Sequence, residues 1–424
     1  MIRIEGKAFA GIVAGLTMGA AVVLTPAAWA PVACAQGTVK IGAIFPLSGN
    51  AANVGKALKA GVELMTDIVN AAHPELTGIP LAATAGLPNL KGAKIEPIFS
   101  DHQGNPSVGA SETVRLITQE KVVAMMGVYH SSVAMSATAE AERQGIPFVI
   151  GDSVAMPITQ RGFQWTFRVT PNAKDLAAMY SAFLKDVQKM RKVSTVALVN
   201  ENTDYGTSVA KLVGDAIKEG GFNVVAQIPY TANTTDVQAQ VLDLKGKNPD
   251  VVIFISYTND AILYMKTLHN LDYRPPIVIG DDAGFSDPSF SPTVGSLAQG
   301  AFNRSTFKVG APGSVTAKLN AMFKAKTGND IDDPTARTME AFLVLCEAIN
   351  RAGSTEPSAI QKALRETDDG PAQVILGYKG VKFDSTGQNI LAYSYVTQLK
   401  GDKYYAVWPH AVAESPLVPS FKGW

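Results

Sequence analysis

The sequence has little cysteine, no excess of charge of either sign and no long polar tract of low complexity. Among its 424 residues are two cysteines, and Lys plus Arg number 37, as do Asp plus Glu. A balanced charge excludes bulk attraction to nucleic acid or to an acidic membrane surface. Because 46% of the residues are apolar, the chain is expected to form substantial cores, and its length favours more than one domain.

Catalytic and metal-binding motifs are also missing. The sequence contains no G-x-S-x-G, H-E-x-x-H or G-x-x-x-x-G-K-[ST] segment and no pair of C-x-x-C motifs. The five histidines lack the spacing of metal ligands: His73, His102, His130, His269 and His410. These absences predict a binding protein with no catalytic residue, metal or cofactor, and an exported amidase remains a disfavoured alternative.

The first 35 residues have the layout of a secretory signal peptide. Arg3 and Lys7 precede the apolar residues 8–24, and Cys34 lies between two alanines at a predicted cleavage site. A membrane anchor and lipidation of Cys34 are the alternatives. Cleavage would leave Cys346 alone, so no intramolecular disulfide could form, and its apolar neighbours predict a buried structural thiol.

From residue 39 onward, short β-branched runs alternate with amphipathic helical patterns, and the alternation restarts after residue 171. This predicts an α/β protein with two lobes, each a doubly wound parallel sheet with helices on both faces. Residues 77–89, rich in Pro, Ala and Gly, predict an inserted loop. The last part of the chain predicts antiparallel strands over residues 381–383, 391–398 and 404–408.

Polar residues follow several of the predicted strands, where open α/β sheets bind ligands. The step Tyr129-His130-Ser131-Ser132 ends one buried strand and opens a helix. The Ser131 hydroxyl and the free amides of the first turn could hold a carboxylate, or a serine could merely cap the helix. His130 either contacts the ligand or lines the cleft as a neutral, hydrogen-bonded group.

Other strand ends add hydroxyl, aromatic and acidic groups. Asp152 could bind an ammonium or cap its own turn, and the adjacent Ser153 could add a hydroxyl. Tyr205 and Tyr257 follow strands of the second run, so they could close over a ligand or lie exposed at the rim. Asp282, next to Asp281, suits a cation partner because an unpaired buried carboxylate is costly.

Four short segments together resemble the periplasmic substrate-binding proteins of branched-chain amino acid ABC transporters, the leucine/isoleucine/valine-binding type. They are IGAIFPLSG at 41–49, GIPFV at 145–149, TQRGF at 159–163 and DYG at 204–206. The resemblance covers almost all of the chain that follows the predicted signal peptide. It implies the type I periplasmic binding protein fold, in which three hinge crossovers join two lobes.

The resemblance also implies roles for the candidate residues. Ser131 would bind the ligand carboxylate and Asp282 its ammonium, while the small residues of the next strand end correspond to Ser153 and Val154. The tyrosine of the Tyr-Gly step is Tyr205, and a second cleft aromatic is Tyr257. The chain departs from the family where Val154 replaces a threonine and Val54 replaces an aromatic residue, which leaves room for an aromatic carboxylate or keto acid.

With three crossovers near residues 169, 303 and 379, the first lobe is expected to comprise residues 36–169 and 304–379, and the second 170–303 and 380–424. The implied function is capture of a small carboxylate-bearing ligand, with amino acids the leading class, by hinge closure in the periplasm. The implied partners are the ligand and an ABC permease, and the protein is expected to be a monomer that binds no nucleic acid. A periplasmic ligand sensor is the alternative.

Overall fold

The first strand–helix alternation builds a five-stranded parallel sheet in the computed structural model, which describes residues 37–424. The predicted signal peptide, residues 1–35, lies outside the described residues. The strand order is β2-β1-β3-β4-β5. In chain order the elements are β1 (Thr38–Phe45), α1 (Ala52–Asn70), β2 (Lys94–Asp101), α2 (Pro106–Thr118), β3 (Ala124–Gly127), α3 (Ser131–Gln144), β4 (Phe148–Ile150) and β5 (Thr166–Arg168).

The second alternation builds a seven-stranded sheet of order β14-β13-β10-β9-β8-β6-β7. Its first elements are α4 (Ala173–Gln188), β6 (Thr195–Glu201), α5 (Asp204–Glu219), β7 (Asn223–Tyr230), α6 (Gln238–Lys247), β8 (Val251–Ile255), α7 (Thr258–Asn270), β9 (Ile277–Gly280), α8 (Ala283–Ser286), α9 (Phe290–Val294) and β10 (Phe302–Ser305). The chain then forms α10 (Val315–Thr327), α11 (Asp333–Ala352), α12 (Pro357–Arg365), β11 (Asp368–Asp369), β12 (Val381–Lys382), β13 (Tyr395–Lys400) and β14 (Lys403–Trp408).

Each sheet is covered by helices on both faces, as the alternation predicts. In β1, Ile41 and Ala43 point into the core shared with α1 and α11, while Ile44 points into the core shared with α2 and α3. In β6, Leu198 and Val199 divide between two cores in the same way. Successive strand residues face opposite sides, so continuous apolar strands fit a sheet that is buried on both faces.

The chain passes between the two lobes three times, which confirms the predicted fold class. It leaves the first sheet after β5, returns after β10 when α11 packs on β3 and β4, and re-enters the second sheet at β13. The lobe boundaries at residues 169, 303 and 379 stay predictions, because sheet membership does not locate the hinge residues.

The C-terminal strands differ in part from the sequence prediction. β13 and β14 pair antiparallel, as expected, but residues 391–394 lie outside any strand. β12 pairs with the short β11 in a separate sheet, and Gln388 bridges to Arg168 at the edge of the first sheet. The Asn389 side chain explains this path, because its amide donates to the backbone carbonyls of Val169 and Gly380 at 3.0 and 3.2 Å.

Candidate functional site: the cleft between the lobes

The ten candidate residues line two adjoining cavities between the lobes. The inner cavity, of about 20 Å³, is bounded by Ala283, Arg304 and eight of the candidates: Tyr129, Ser131, Asp152, Ser153, Val154, Tyr205, Tyr257 and Asp282. The outer cavity, of about 290 Å³, shares Tyr129 and Tyr257 with the inner one and adds His130 and Ser132. The topology therefore brings the ten candidate residues together, whereas Val54 lies on the core side of α1 and lines neither cavity.

The N-terminus of α3 faces the inner cavity and provides an anion-binding environment. Ser131 is the first helical residue and is 1% exposed, and the preceding His130 makes no side-chain cap bond. Within residues 37–424 the Ser131 hydroxyl oxygen accepts a single, long hydrogen bond, at 3.4 Å, from the amide of Ala155. Because the first-turn amides lack intrahelical partners, a carboxylate placed here would meet both these donors and the positive end of the helix dipole.

The loop that presents this helix is held in a strained conformation. Val128 has a φ of +67°, which is rare for a β-branched residue, and Gly127 before it has a φ of +119°. The Ser153 hydroxyl donates to the carbonyl oxygens of Val128 and Tyr129 at 3.0 and 3.2 Å. Ser153 thus supports the loop that carries Ser131, and its candidate role as a ligand contact stays a prediction.

An arginine that the sequence analysis missed joins the two lobes below the inner cavity. Arg337 of α11 is 1% exposed at its side chain and forms ion pairs with Asp152 of the first lobe and Asp282 of the second. A third pair, at 2.5 Å, joins it to Asp333 one helical turn earlier. The sequence signal was this D-x-x-x-R spacing at the start of an apolar helix, where charges four residues apart share one face.

The Asp282 carboxylate has three partners within residues 37–424. Its Oδ2 is paired with Arg337 and lies 3.2 Å from Nη2 of Arg304, while Oδ1 accepts from the Ser286 hydroxyl at 2.5 Å. Burial raises the pKa of Asp282, but the two guanidinium groups outweigh it and hold the pKa below its usual range. The prediction that Asp282 receives a ligand amine is untested, and these partners leave its carboxylate little free capacity.

Asp152 is the acidic group of the inner cavity with an unused oxygen. Its Oδ1 is paired with Arg337, whereas the buried Oδ2 has no hydrogen-bond partner within residues 37–424. Burial raises the pKa of Asp152 to about 6 although Arg337 acts in the opposite direction. The Asp152 side chain does not cap its own turn, which is one of the two sequence alternatives, because its Oδ1 is paired with Arg337 and its Oδ2 accepts from no group of residues 37–424.

The buried charges around the inner cavity do not balance. Arg304 pairs with Asp281 at 3.0 Å and with Asp282, and Arg337 pairs with three carboxylates. The connected set holds four aspartates, Asp152, Asp281, Asp282 and Asp333, against these two arginines. Hydroxyl donors offset part of the excess, since Tyr180 and Tyr205 both donate to Asp281. An added cationic group would therefore be favoured electrostatically in this cavity.

Aromatic rings form the wall between the two cavities. Tyr257 lies 5.6 Å from Tyr129 across the cleft, 5.2 Å from Tyr205 and 4.8 Å from His130, measured between ring centroids. The hydroxyls of Tyr129 and Tyr257 are buried without a hydrogen-bond partner within residues 37–424. Buried polar groups are normally paired, so these two hydroxyls are available to a ligand or a bridging water.

The two histidines beside this wall are neutral at physiological pH. Burial lowers the pKa of His130 to about 4 and, together with the nearby His130 ring, lowers that of His102 to about 3. The two rings meet edge to face at 5.4 Å. His130 lines the outer cavity, and its buried Nδ1 has no hydrogen-bond partner within residues 37–424, so its role as a ligand contact or as a hydrogen-bonded cleft group stays a prediction.

Acidification should destabilise the protein through His102. Its Nδ1 accepts from the Gly104 amide at 3.0 Å and the ring is 0% exposed, so protonation would break a buried bond. Because the folded pKa lies below the unfolded one, this stabilisation is present above pH 6.5 and decreases as pH falls towards 3. At about 1.4 kcal/mol per pH unit, the loss at pH 5 is about 2 kcal/mol.

The measurement is urea unfolding of wild type and His102→Gln between pH 7 and 5. The difference between the two proteins should shrink by about 2 kcal/mol as the pH falls, since the variant lacks the titrating group. His269→Gln, at an exposed position near the end of α7, is the control and should follow wild type. A pH-independent difference for His102→Gln would contradict the assignment.

Function also depends on whether the described residues hold a metal-binding cluster, a membrane-spanning helix or a free cysteine. Within residues 37–424 there is no cluster of side chains that could hold a metal ion and no helix with the length and hydropathy needed to cross a membrane. Cys346 is buried and free, as predicted, and burial raises the pKa of its thiol well above the ordinary value.

Known proteins resemble this chain in sequence and in fold. A family model described as periplasmic binding protein matches residues 38–403. The Leu/Ile/Val-binding protein homolog 8 of Brucella abortus is 30% identical over 88% of this chain and 91% of its own length. A LivJ branched-chain amino acid binding protein of Streptococcus pneumoniae, solved with isoleucine, has a TM-score of 0.73 at 24% identity over 87% of this chain and 98% of its own.

A solute-binding protein of an ABC transporter from R. palustris, solved with benzoate, has a TM-score of 0.72 at 18% identity over 91% of this chain and 99% of its own. The protein has two α/β lobes, and a polar cleft lies between them at the strand ends. This is the arrangement of solute-binding proteins with the type I periplasmic binding fold. The chain belongs to the periplasmic binding protein family. The family and the fold are those of substrate-binding proteins, which confirms the resemblance found in the sequence.

Proposed function

We propose that this protein is the periplasmic solute-binding component of an ABC transporter and that its ligand is an α-amino acid. The observation that carries the proposal is the pairing, in one small cavity, of a free helix N-terminus with an excess of buried carboxylates. One end of a zwitterion would lie at Ser131 and the other at Asp152. The relatives named for leucine, isoleucine and valine support the same class of ligand.

The carboxylate end rests on the first turn of α3. Among the residues that the structure describes, the Ser131 hydroxyl and the amides of this turn have no strong partner, and the nearby buried Tyr129 hydroxyl has none at all. A carboxylate accepts several such bonds at once, and each bond to a charged group contributes about 1.5–3 kcal/mol. Val154 does not provide the hydroxyl that the family has there, so the helix terminus would carry a larger share of this interaction.

The amine end rests on Asp152 rather than on Asp282. Asp152 keeps one buried oxygen to which no group of residues 37–424 donates, and burial raises its pKa. An ammonium partner would supply the missing donor and lower that pKa. Asp282 would contribute to amine binding indirectly, by its ion pair with Arg337 and by adding to the negative charge around the cavity. The benzoate-bound neighbour shows that a protein of this fold can hold an acid without an amine. The second candidate ligand is therefore an aromatic carboxylate, and binding of acids that lack an amine would favour it.

Closure of the lobes over the ligand is the proposed transport step. Contacts from both lobes already meet in the cleft: Tyr129 touches Tyr257, Asn50 donates to the Asn233 side chain at 2.7 Å, and the Met156 amide donates to the Ser208 hydroxyl at 3.0 Å. A ligand that contacts both lobes would stabilise the closed form by its differential affinity for that form. We expect the closed monomer to dock on a membrane permease in the periplasm.

Replacing Ser131 by alanine tests the carboxylate site. We expect Ser131→Ala to weaken the binding of the best amino acid by about 1–3 kcal/mol, which is about fivefold to more than a hundredfold in affinity. The ligand is first selected by a thermal-shift screen of the L-amino acids, 2-oxo acids, benzoate and 4-hydroxybenzoate, because a ligand of the folded state raises its Tm. Calorimetric titration then compares the proteins.

The matched control is Ser136→Ala, which removes a hydroxyl from the same helix outside both cavities. It should leave the affinity unchanged. Wild-type affinity in Ser131→Ala would refute the proposed carboxylate site, and a screen in which only acids without an amine bind would replace the amino acid by the second candidate.

A further inference from the structure

The outer cavity is much larger than the inner one and adjoins it across the rings of Tyr129 and Tyr257. The volumes are about 290 and 20 Å³, and Tyr129 and Tyr257 belong to both walls. A single water needs about 10–15 Å³ of such space, so the inner cavity as it stands has room for about one or two water-sized groups and none for a ligand side chain. Any further part of a ligand held at Ser131 and Asp152 would reach the outer cavity by displacing the rings of Tyr129 and Tyr257.

The outer cavity is lined by polar groups without charge. No Asp, Glu, Lys or Arg is among its lining residues, and its only aliphatic side chains are Ala51 and Ala232. Burial keeps His130 neutral at physiological pH. Hydroxyl and amide side chains supply most of the remaining wall: Ser48, Asn50, Gln103, Ser132, Asn233 and Asn259.

Several of these groups are free to bind a ligand, whereas others are used within the protein. The Ser48 hydroxyl donates to Asp101, and the amides of Asn50 and Asn233 bond to each other. Within residues 37–424 the exposed side chains of Gln103 and Asn259 form no hydrogen bond with the protein, and the buried hydroxyl of Tyr257 is unpaired. Donors and acceptors are thus both available around one cavity.

We propose that the outer cavity is a specificity subsite for an uncharged, hydrogen-bonding side chain that carries an amide or a hydroxyl. The inference rests on the proposed function, because the head group fixes where the side chain begins. An aliphatic ligand side chain would displace water from the free amides and hydroxyls and could not replace the hydrogen bonds that the water makes. A charged side chain would find no counter-ion there, whereas an amide could pair with Gln103, Asn259 and Tyr257.

Calorimetric titration of the full mature chain with matched amino acids tests the subsite. The amides L-asparagine and L-glutamine are compared with the apolar L-leucine and L-norleucine and with the acids L-aspartate and L-glutamate. We expect the better amide to bind at least tenfold more tightly than either apolar or acidic partner. Equal or tighter binding of leucine or norleucine would overturn the subsite but leave the proposed function intact, whereas no binding by any α-amino acid would overturn both.

Two side-chain variants locate the effect in the outer cavity. Gln103→Ala and Asn259→Ala should each weaken the better amide about threefold to tenfold, as expected for one hydrogen bond, and leave norleucine within a factor of two. Asn270→Ala removes an exposed amide at the other end of α7 and is the control. Unchanged amide affinity in both cavity variants would show that the space is only an entrance to the inner site.

Discussion

Replacing Arg337 by methionine should lower the free energy of unfolding by about 3–5 kcal/mol. The substitution keeps much of the side-chain volume but leaves the buried carboxylates of Asp152, Asp282 and Asp333 without their shared guanidinium. Removal of one partner from a buried ion network costs this much because uncompensated charges stay buried. Urea unfolding followed by far-UV circular dichroism measures the change.

Two further variants make this prediction specific to the network. Arg143→Met, where an exposed arginine pairs with Glu140, should change stability by less than 1 kcal/mol. Adding Asp152→Asn to Arg337→Met should recover part of the loss, since one fewer buried charge then lacks a partner. Equal effects of the Arg337 and Arg143 substitutions would contradict the role assigned to Arg337 between the lobes.

Replacing Asp152 by asparagine should weaken an amine-bearing ligand by tenfold to a hundredfold. A lost hydrogen bond to a charged group is worth about 1.5–3 kcal/mol, and the free Oδ2 of Asp152 is the proposed acceptor. The analogue of the same ligand without its amine should lose little affinity. Asp282→Asn is the comparison, and we expect it to change the preference for the amine less, because that carboxylate is held by Arg304, Arg337 and Ser286.

The same carboxylate predicts how binding depends on pH. Burial holds the pKa of Asp152 at about 6 in the free protein, and an ammonium binds only its ionised form. Affinity for the amine-bearing ligand should therefore be constant above pH 7 and fall by up to tenfold per unit below pH 6. Asp152→Asn should abolish this decline. A decline that persists in the variant would assign it to another group.

The sequence predicts the fold well because local signals agree with tertiary packing. Asn105 followed by Pro106 predicts the start of α2, and the Asn105 side chain caps that helix as expected. Alternating apolar strands and amphipathic helices define both sheets, and helix α3 begins at Ser131, where the polar step predicts a helix to open. The C-terminal strands are less well predicted. Val381 pairs with Asp369 of the two-residue strand β11, which no local sequence pattern indicates.

The chemistry of the inner cavity could be predicted only in part. Strand ends meet at one edge of a parallel sheet, so Ser131 and Asp152 could be grouped from topology alone. Arg337 could not, because it lies on a helix of the third chain segment and reaches the cleft only after two crossovers. Its presence changes the role of Asp282 from an open carboxylate to a paired one. The D-x-x-x-R spacing pairs Arg337 with Asp333 but does not reveal its contact with Asp282.

The most direct test of the account is one calorimetric series on the unmodified protein. The best amino acid from the screen is titrated beside its analogue without the amine and its analogue with the carboxylate converted to an amide. The account predicts that removing either group weakens binding at least tenfold, because each end of the zwitterion has its own site. Equal affinity of the analogue without the amine would contradict the role of Asp152, and equal affinity of the amide would contradict that of Ser131.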